Sequence, residues 1–168
     1  AHEKCLWHRH VSSWIMNKNG EILLQRRSEN KPRNPNKWAK TGGHVDSGES
    51  VEDAIRREVK EEIGIDIPKE QIEILEIFKS KDSNNKYFAY NFLFVVAYKI
   101  EDYILQKEEV AEVKYVTIEE MEQIKKNNDS NYTFCKWADE DFYREIEILK
   151  QKRKTLMQKS IVEKVNNQ

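Results

Sequence analysis

Between Gly43 and Ile65 the sequence reads Gly-His-Val-Asp-Ser-Gly-Glu-Ser-Val-Glu-Asp-Ala-Ile-Arg-Arg-Glu-Val-Lys-Glu-Glu-Ile-Gly-Ile, a glycine-punctuated loop that runs into a segment of helical period. Glycine just past the last turn is a common helix stop, because it takes the left-handed conformation without a Cβ clash. The helix is therefore expected from about Ser50, with Gly64 closing it. Val51, Ile55, Val59 and Ile63 are spaced by four. At roughly 100° per residue they form one slowly drifting apolar stripe, the face a globular helix buries. Glu58, Glu61 and Glu62 stand at i, i+3 and i+4, which brings three carboxylates together beside that stripe.

Such a grouping is unfavourable for a helix left to itself, since like charges at these spacings cost roughly 0.2–0.5 kcal/mol per pair. Elsewhere the spacing pairs Glu52 with Arg56, Asp53 with Arg57 and Arg57 with Glu61. Glu58 and Glu62 have no basic residue three or four positions away on either side. One reading is an acidic solvated face. The other is a site for a hard divalent cation, because Mg²⁺ and Mn²⁺ prefer carboxylate oxygens and Mg²⁺ is commonly held by a few carboxylates together with substrate phosphates.

The flanking residues favour the second reading. Gly43 is followed after five residues by Glu49, and after seven more by Arg57-Glu58-Val59-Lys60-Glu61-Glu62-Ile63-Gly64-Ile65. This resembles the signature of the Nudix hydrolases, G-x5-E-x7-R-E-U-x-E-E-x-G-U with U aliphatic, at each of its nine defined positions. The resemblance implies an α/β fold, a Nudix-type α/β/α sandwich around a mixed β-sheet. It also implies a hydrolase acting on the diphosphate linkage of a nucleoside diphosphate derivative or another organic diphosphate, with Mg²⁺ or Mn²⁺ as cofactor. Two phosphates repel a hydroxide-like nucleophile, so this chemistry needs cations and a positioned water. Carried over by position, Glu58, Glu61 and Glu62 are the metal ligands and the Gly43 carbonyl a further one. Arg57 orients the carboxylates by salt bridging, Glu49 holds the loop or a metal-bound water, and Gly64 sets the turn. The general base stays open. Glu109 lies in the loop before the strand Lys114-Tyr-Val116, where some family members place a catalytic glutamate, with Glu108 and Glu112 as neighbours of similar reach. A glutamate of the box itself is the competing assignment.

Around the box the chain alternates strand and helix signals. His8–Met16 reads as a strand, Asn17-Lys-Asn-Gly20 as a turn and Glu21–Arg26 as the returning strand. Residues 28–37 read as a loop which, with its approach, carries Arg26, Arg27, Lys31, Arg33 and Lys37; these cations are either solvated or available to substrate phosphates. Gly42 and Gly43 permit close backbone approach to a ligand or metal. Ile72, Ile74 and Ile77 alternate with Glu73 and Glu76 as in a strand. Tyr87–Tyr98 reads as a buried central strand and Ala111–Val116 as a short one. Thr117-Ile-Glu-Glu120 is a capping box opening a helix to about Lys126. A long helix is expected from Lys136 to about Gln158, with Ala138, Phe142, Ile146, Leu149 and Leu156 inward, and fraying past Ser160. The expectation is one domain over 1–168, with a core of about 6–126 and the terminal helix as an addition.

Composition narrows the partners. Charged residues make up 35% of the chain but nearly cancel, at a formal net charge of -1, so no global field argues for nucleic acid or an anionic membrane. No apolar run approaches the ~20 residues of a membrane span. The two cysteines, Cys5 and Cys135, have no metal spacing and are expected as free thiols in a reducing cytoplasm. The expected partner is a small-molecule diphosphate, and nothing in the sequence sets an oligomeric state.

The flanks also look like the isopentenyl-diphosphate isomerase branch of the superfamily, in Trp-His-Arg-His-Val-Ser-Ser-Trp-Ile, Leu-Leu-Gln-Arg-Arg-Ser and Trp-Ala-Lys-Thr-Gly-Gly-His-Val. His8 and His44 match two of the metal histidines of those isomerases. Their proton-transfer cysteine falls where this chain has Gly42, and their strand glutamates fall in Tyr87–Tyr98, which has no carboxylate. An isomerase-like scaffold carrying hydrolase chemistry is therefore expected, with isomerisation and a ligand-sensing domain as alternatives.

Overall fold

The computed structural model describes residues 7–79 and 86–166. Cys5 lies outside the described residues. Seven strands, β1 (His8–Asn17), β2 (Ile22–Arg27), β3 (Trp38–Ala39), β4 (Thr41–His44), β5 (Glu73–Lys79), β6 (Tyr87–Val96) and β7 (Val110–Val116), form one sheet. Among the described residues three α-helices accompany it, α1 (Val51–Ile63), α2 (Ile118–Lys126) and α3 (Asp139–Asn166). The sheet is mixed, because β1 runs parallel to β6 along its whole length while β2 and β4 pair antiparallel to it. β6 is central between β1 and β5, as its continuous apolar run requires.

Alternation along the strands sends side chains to two separate cores. Val11, Ile15, Phe92 and Phe94 face α1, where Ile55, Val59 and Ile63 are completely buried and Val51 partly so. Burying each such side chain stabilises by roughly 1.5–3 kcal/mol. Trp14, Met16, Leu24 and Leu93 face the other way, onto Met121 of α2 and Phe142, Ile146 and Leu149 of α3. The result is an α/β/α sandwich in which the terminal helix is a structural layer.

Local signals set the helix ends. Ser50 caps α1 by accepting the Asp53 N–H, and Gly64 stops it at φ 76°, where an added Cβ would also lie 2.7 Å from Ile104. Thr117 and Glu120 form the expected reciprocal cap of α2. Two expectations need correcting. The long helix begins at Asp139, after a 3₁₀ turn at Thr133–Lys136, and continues to Asn166 rather than fraying at Ser160. Arg153 grips Glu119 of α2 with both terminal nitrogens, at 2.6 and 2.8 Å, which ties α3 down. The alternation in β5 is also interrupted, by a register shift between Ile74 and Glu76, and it leaves Ile74 and Ile77 exposed on an edge strand.

Candidate active site

Arg57 joins the box together. Its Nε and Nη2 form a fork on Glu49 at 2.9 and 3.1 Å, Nη1 reaches Glu58 at 3.0 Å and Glu61 at 3.2 Å, and Nη2 also donates to the His44 carbonyl at 3.0 Å. One guanidinium thus fixes the loop after β4 to the acidic face of α1. The Arg57 hydrogen bond lowers the Glu49 carboxyl below its ordinary value, and the Asp46 N–H adds a further donor at 3.0 Å. The helix-spacing expectation that Arg57 pairs with Asp53 is not met; Asp53 pairs with Arg56 and Lys69 instead. Nor is Glu58 unpaired, because the long Arg57 side chain bends back to its immediate neighbour.

The three box glutamates differ in environment. Glu61 is about half exposed, whereas the Glu58 side chain is 15% exposed and Glu62 only 5%. Burial raises the Glu58 carboxyl, against the pull of Arg57, and the charges of Glu61 and Glu109 raise it further. Burial likewise pushes Glu62 up to about 7, against a hydrogen bond from Gln25 Nε2 at 2.8 Å and with Glu58 and Glu109 adding to the rise. Gln25 was missed in the sequence. Its amide is oriented by Thr41, whose hydroxyl donates to Gln25 Oε1 at 3.1 Å, and strand alternation with Arg27 was the available signal. Gly43 lies directly beneath Glu58: an added Cβ would come within 2.2 Å of Glu58 Oε1. The carboxylates are turned toward Arg57 and Gln25, and among the described residues no three His, Cys, Asp or Glu side chains form a ready metal cage.

Gly43, Arg57 and the three box glutamates line a cleft of about 910 Å³. Arg27, Lys31 and Arg33 line the same cleft. Glu109 also lines it, ion-paired to Lys31, while the Ser28 N–H donates to the Glu109 carbonyl at 2.8 Å and ties the basic loop to the glutamate's turn. Arg26 does not face the cleft. It lies on the opposite face of β2 from Gln25 and Arg27 and pairs with exposed Glu112 at 3.0 Å. Glu108 is exposed and outside the lining.

His8 and His44 come together at the cleft, with ring centroids 5.3 Å apart, and are joined by His10, whose ring meets His44 edge-on at 5.6 Å. The sequence reading passed over His10. Burial, and then the charge of His44, lowers His10 to about 4, so it is a neutral imidazole near pH 7. Gly42 stands opposite Ser12 in the β1–β4 ladder, and an added Cβ would lie 2.2 Å from the Val11 carbonyl oxygen and 2.6 Å from Ser12 Cα.

A second polar group borders the cleft on the α3 side. Glu145 of α3, 4% exposed, accepts from Trp14 Nε1, from Asn91 Nδ2 at 2.8 Å and from Lys40 Nζ at 3.2 Å. The Ser12 hydroxyl holds Asn91 Oδ1 at 2.6 Å. Burial lowers the Lys40 ammonium's pKa, with Glu145 opposing.

Mixed sheet, flanking helices and the loop-and-helix box together define a Nudix-type α/β/α domain. The chain belongs to the NUDIX family, whose NUDIX domain profile matches residues 6–138. It is similar to an uncharacterized Nudix hydrolase of Clostridium acetobutylicum, 34% identical over 129 residues that make up 72% of this chain and 62% of that protein. The chain thus matches less than two thirds of that relative's length. It is 28% identical to Isopentenyl-diphosphate Delta-isomerase 2 of Photorhabdus laumondii over 79% of this chain and 75% of that one. Among solved structures, MutT protein from Methanosarcina mazei superposes with a TM-score of 0.62 at 26% identity, over 88% of this chain and 96% of that chain. Among the described residues no helix is long and apolar enough to cross a membrane.

Proposed function

We propose that the protein is a metal-dependent hydrolase cleaving the diphosphate linkage of a nucleoside diphosphate derivative or another organic diphosphate. The observation that carries this reading is the grouping of Glu58, Glu61 and Glu62 beside Gly43 in the cleft, with Arg57 among them and cations of the basic loop lining the same cleft. The donors suit a hard divalent cation, since they are carboxylate oxygens with a side-chain-free backbone beside them. Glu58, Glu61 and Glu62, with the Gly43 carbonyl, would hold Mg²⁺ or Mn²⁺. A cation there supplies charge neutralisation to the attacked diphosphate.

The chain's own residues do the rest. Glu49, through Arg57, keeps the loop and the glutamates in register. Arg27, Lys31 and Arg33, which line the cleft, bind phosphate oxygens. Glu109 takes a proton from the attacking water once a substrate phosphate draws Lys31 away from it, with a box glutamate as the competing base. Isomerisation is disfavoured on two counts. Glycine at 42 has no group to transfer a proton, and β6 has no carboxylate.

A screen of diphosphate compounds with Mg²⁺, Mn²⁺ or EDTA tests the reading. The expected result is cation-dependent release of monophosphate products from at least one compound. Tight binding without turnover across the panel would replace the hydrolase with a ligand-sensing domain.

A further inference from the structure

The contact between α3 and the sheet is polar where a buried helix face would ordinarily be apolar. Glu145 lies on the same helix as the fully buried Phe142 and Leu149, yet it places a carboxylate beside the cleft. Three donors hold that carboxylate, and two of them, Trp14 Nε1 and Asn91 Nδ2, come from the sheet. Its position is therefore fixed independently of Lys40.

Lys40 is the unbalanced member. Among the described residues Glu145 is the one hydrogen-bond acceptor its ammonium reaches, and it otherwise lies over the rings of Trp14 and Trp137, at 5.0 and 4.7 Å from their centroids. An ammonium has three donors, and burying it with donors unused is costly. The Lys40 side chain is 12% exposed, and it lines the cleft. Ala39, Gly42 and Ala89 line the same cleft. The cleft's volume falls in the roughly 300–1,000 Å³ range that accommodates whole small molecules, not a diphosphate alone.

The surrounding charge says what kind of group belongs there. Glu145, Asp141 and Glu76 oppose Lys40 and Arg144, so carboxylates outnumber cations; Arg144 is already held by Glu76 and Asp141, both at 2.9 Å. Glu76 Oε2 is buried and has no hydrogen-bond partner. A further phosphate gains little from such a set. A hydrocarbon tail would seal the Lys40 donors away from water without a partner.

We propose that Lys40, positioned by Glu145, is the specificity-determining residue for the organic half of the substrate, and that it donates to an uncharged acceptor such as a nucleobase carbonyl or a sugar hydroxyl. The proposal rests on the diphosphate-hydrolase reading above and narrows it to polar organic groups, to the exclusion of isoprenoid ones. The test compares inosine 5′-diphosphate with geranyl diphosphate, which carry the same diphosphate on different organic halves. The wild type should prefer the inosine compound in kcat/KM, and Lys40→Met should shrink that preference by about tenfold or more, the scale of one hydrogen bond to a charged group.

Lys40→Met leaves Glu145 charged and buried, so Lys40→Met/Glu145→Gln serves where the single variant fails to fold. Calorimetric binding of inosine 5′-monophosphate and geranyl monophosphate to wild type and variant gives the same comparison without turnover. It therefore separates failure of this proposal from failure of the hydrolase reading. Equal losses for both compounds, or a wild type that does not discriminate in either assay, would overturn the assignment and leave Lys40–Glu145 as a brace between α3 and the sheet.

Discussion

Glu62→Gln removes a charge from a residue 5% exposed while hardly changing its shape. Burial pushes the wild-type carboxyl from an ordinary 4.5 up to about 7. At about 1.4 kcal/mol per pH unit, keeping it ionised in the fold costs roughly 3 kcal/mol once the pH is well above 7. The amide avoids that cost, and its oxygen can still accept from Gln25 Nε2, as Glu62 does at 2.8 Å. Its new NH₂ needs an acceptor and trims the gain. For a chain of this size the upper limit is a rise in Tm of about 6–12 °C. The pH dependence follows from the raised value. Below about pH 4.5 the carboxyl is protonated in folded and unfolded chains alike, and the two proteins should melt together. Between about pH 4.5 and 7 the wild type progressively loses stability that the variant keeps, and above 7 the difference is constant. Melting curves in EDTA at intervals between pH 4.5 and 8.5 check this, and a parallel series with Mg²⁺ should raise the wild type more than the variant. Identical melting at pH 8 in EDTA would refute the claim that Glu62 is held ionised at a cost.

The other predictions concern activity. Glu61→Gln should abolish most turnover while melting near the wild-type temperature without metal, because the residue is about half exposed; unchanged turnover would remove it from the metal site. Glu109→Gln should lower kcat by ~10²–10⁴ with KM nearly unchanged, the range for loss of a general base. Glu112→Gln should be mild, since that side chain is outside the cleft on Arg26; a kcat within about threefold for Glu109→Gln would move the base into the box, to Glu58 or Glu61. Gly42→Cys should destabilise the protein through its clash with Val11 and Ser12 and confer no isomerisation of isopentenyl diphosphate; dimethylallyl product from wild type or variant would contradict this.

Features set by neighbours in sequence were legible. The start of α1 near Ser50, its stop at Gly64, the capping box at Thr117 and the buried stripe of α1 follow from residues a few positions apart, and each is found where expected. What escaped depends on contacts across the chain. Gln25 meets Glu62 only because β2 packs against α1, and Lys40 meets Glu145 over a separation of 105 residues. Spacing rules also assume that side chains meet at three or four residues. Arg57 broke them by reaching both Glu58 next to it and Glu49 across the loop. Arg26 and Arg27 looked equivalent as letters, and only strand alternation separated the one on Glu112 from the one lining the cleft. The ion pairs that join α3 to α2, from Lys150 to Glu122 and from Arg153 to Glu119, likewise link residues far apart in sequence.

The central claim is that the box glutamates hold a divalent cation used to hydrolyse a diphosphate. Titration with Mn²⁺, following the free ion by electron paramagnetic resonance, tests it most directly on wild type, Glu58→Gln, Glu61→Gln and Glu112→Gln. Wild type and Glu112→Gln should bind saturably, the two box variants should lose tenfold or more in affinity, and diphosphate turnover should rise with the bound fraction. Equal Mn²⁺ affinity in all four proteins would contradict the claim.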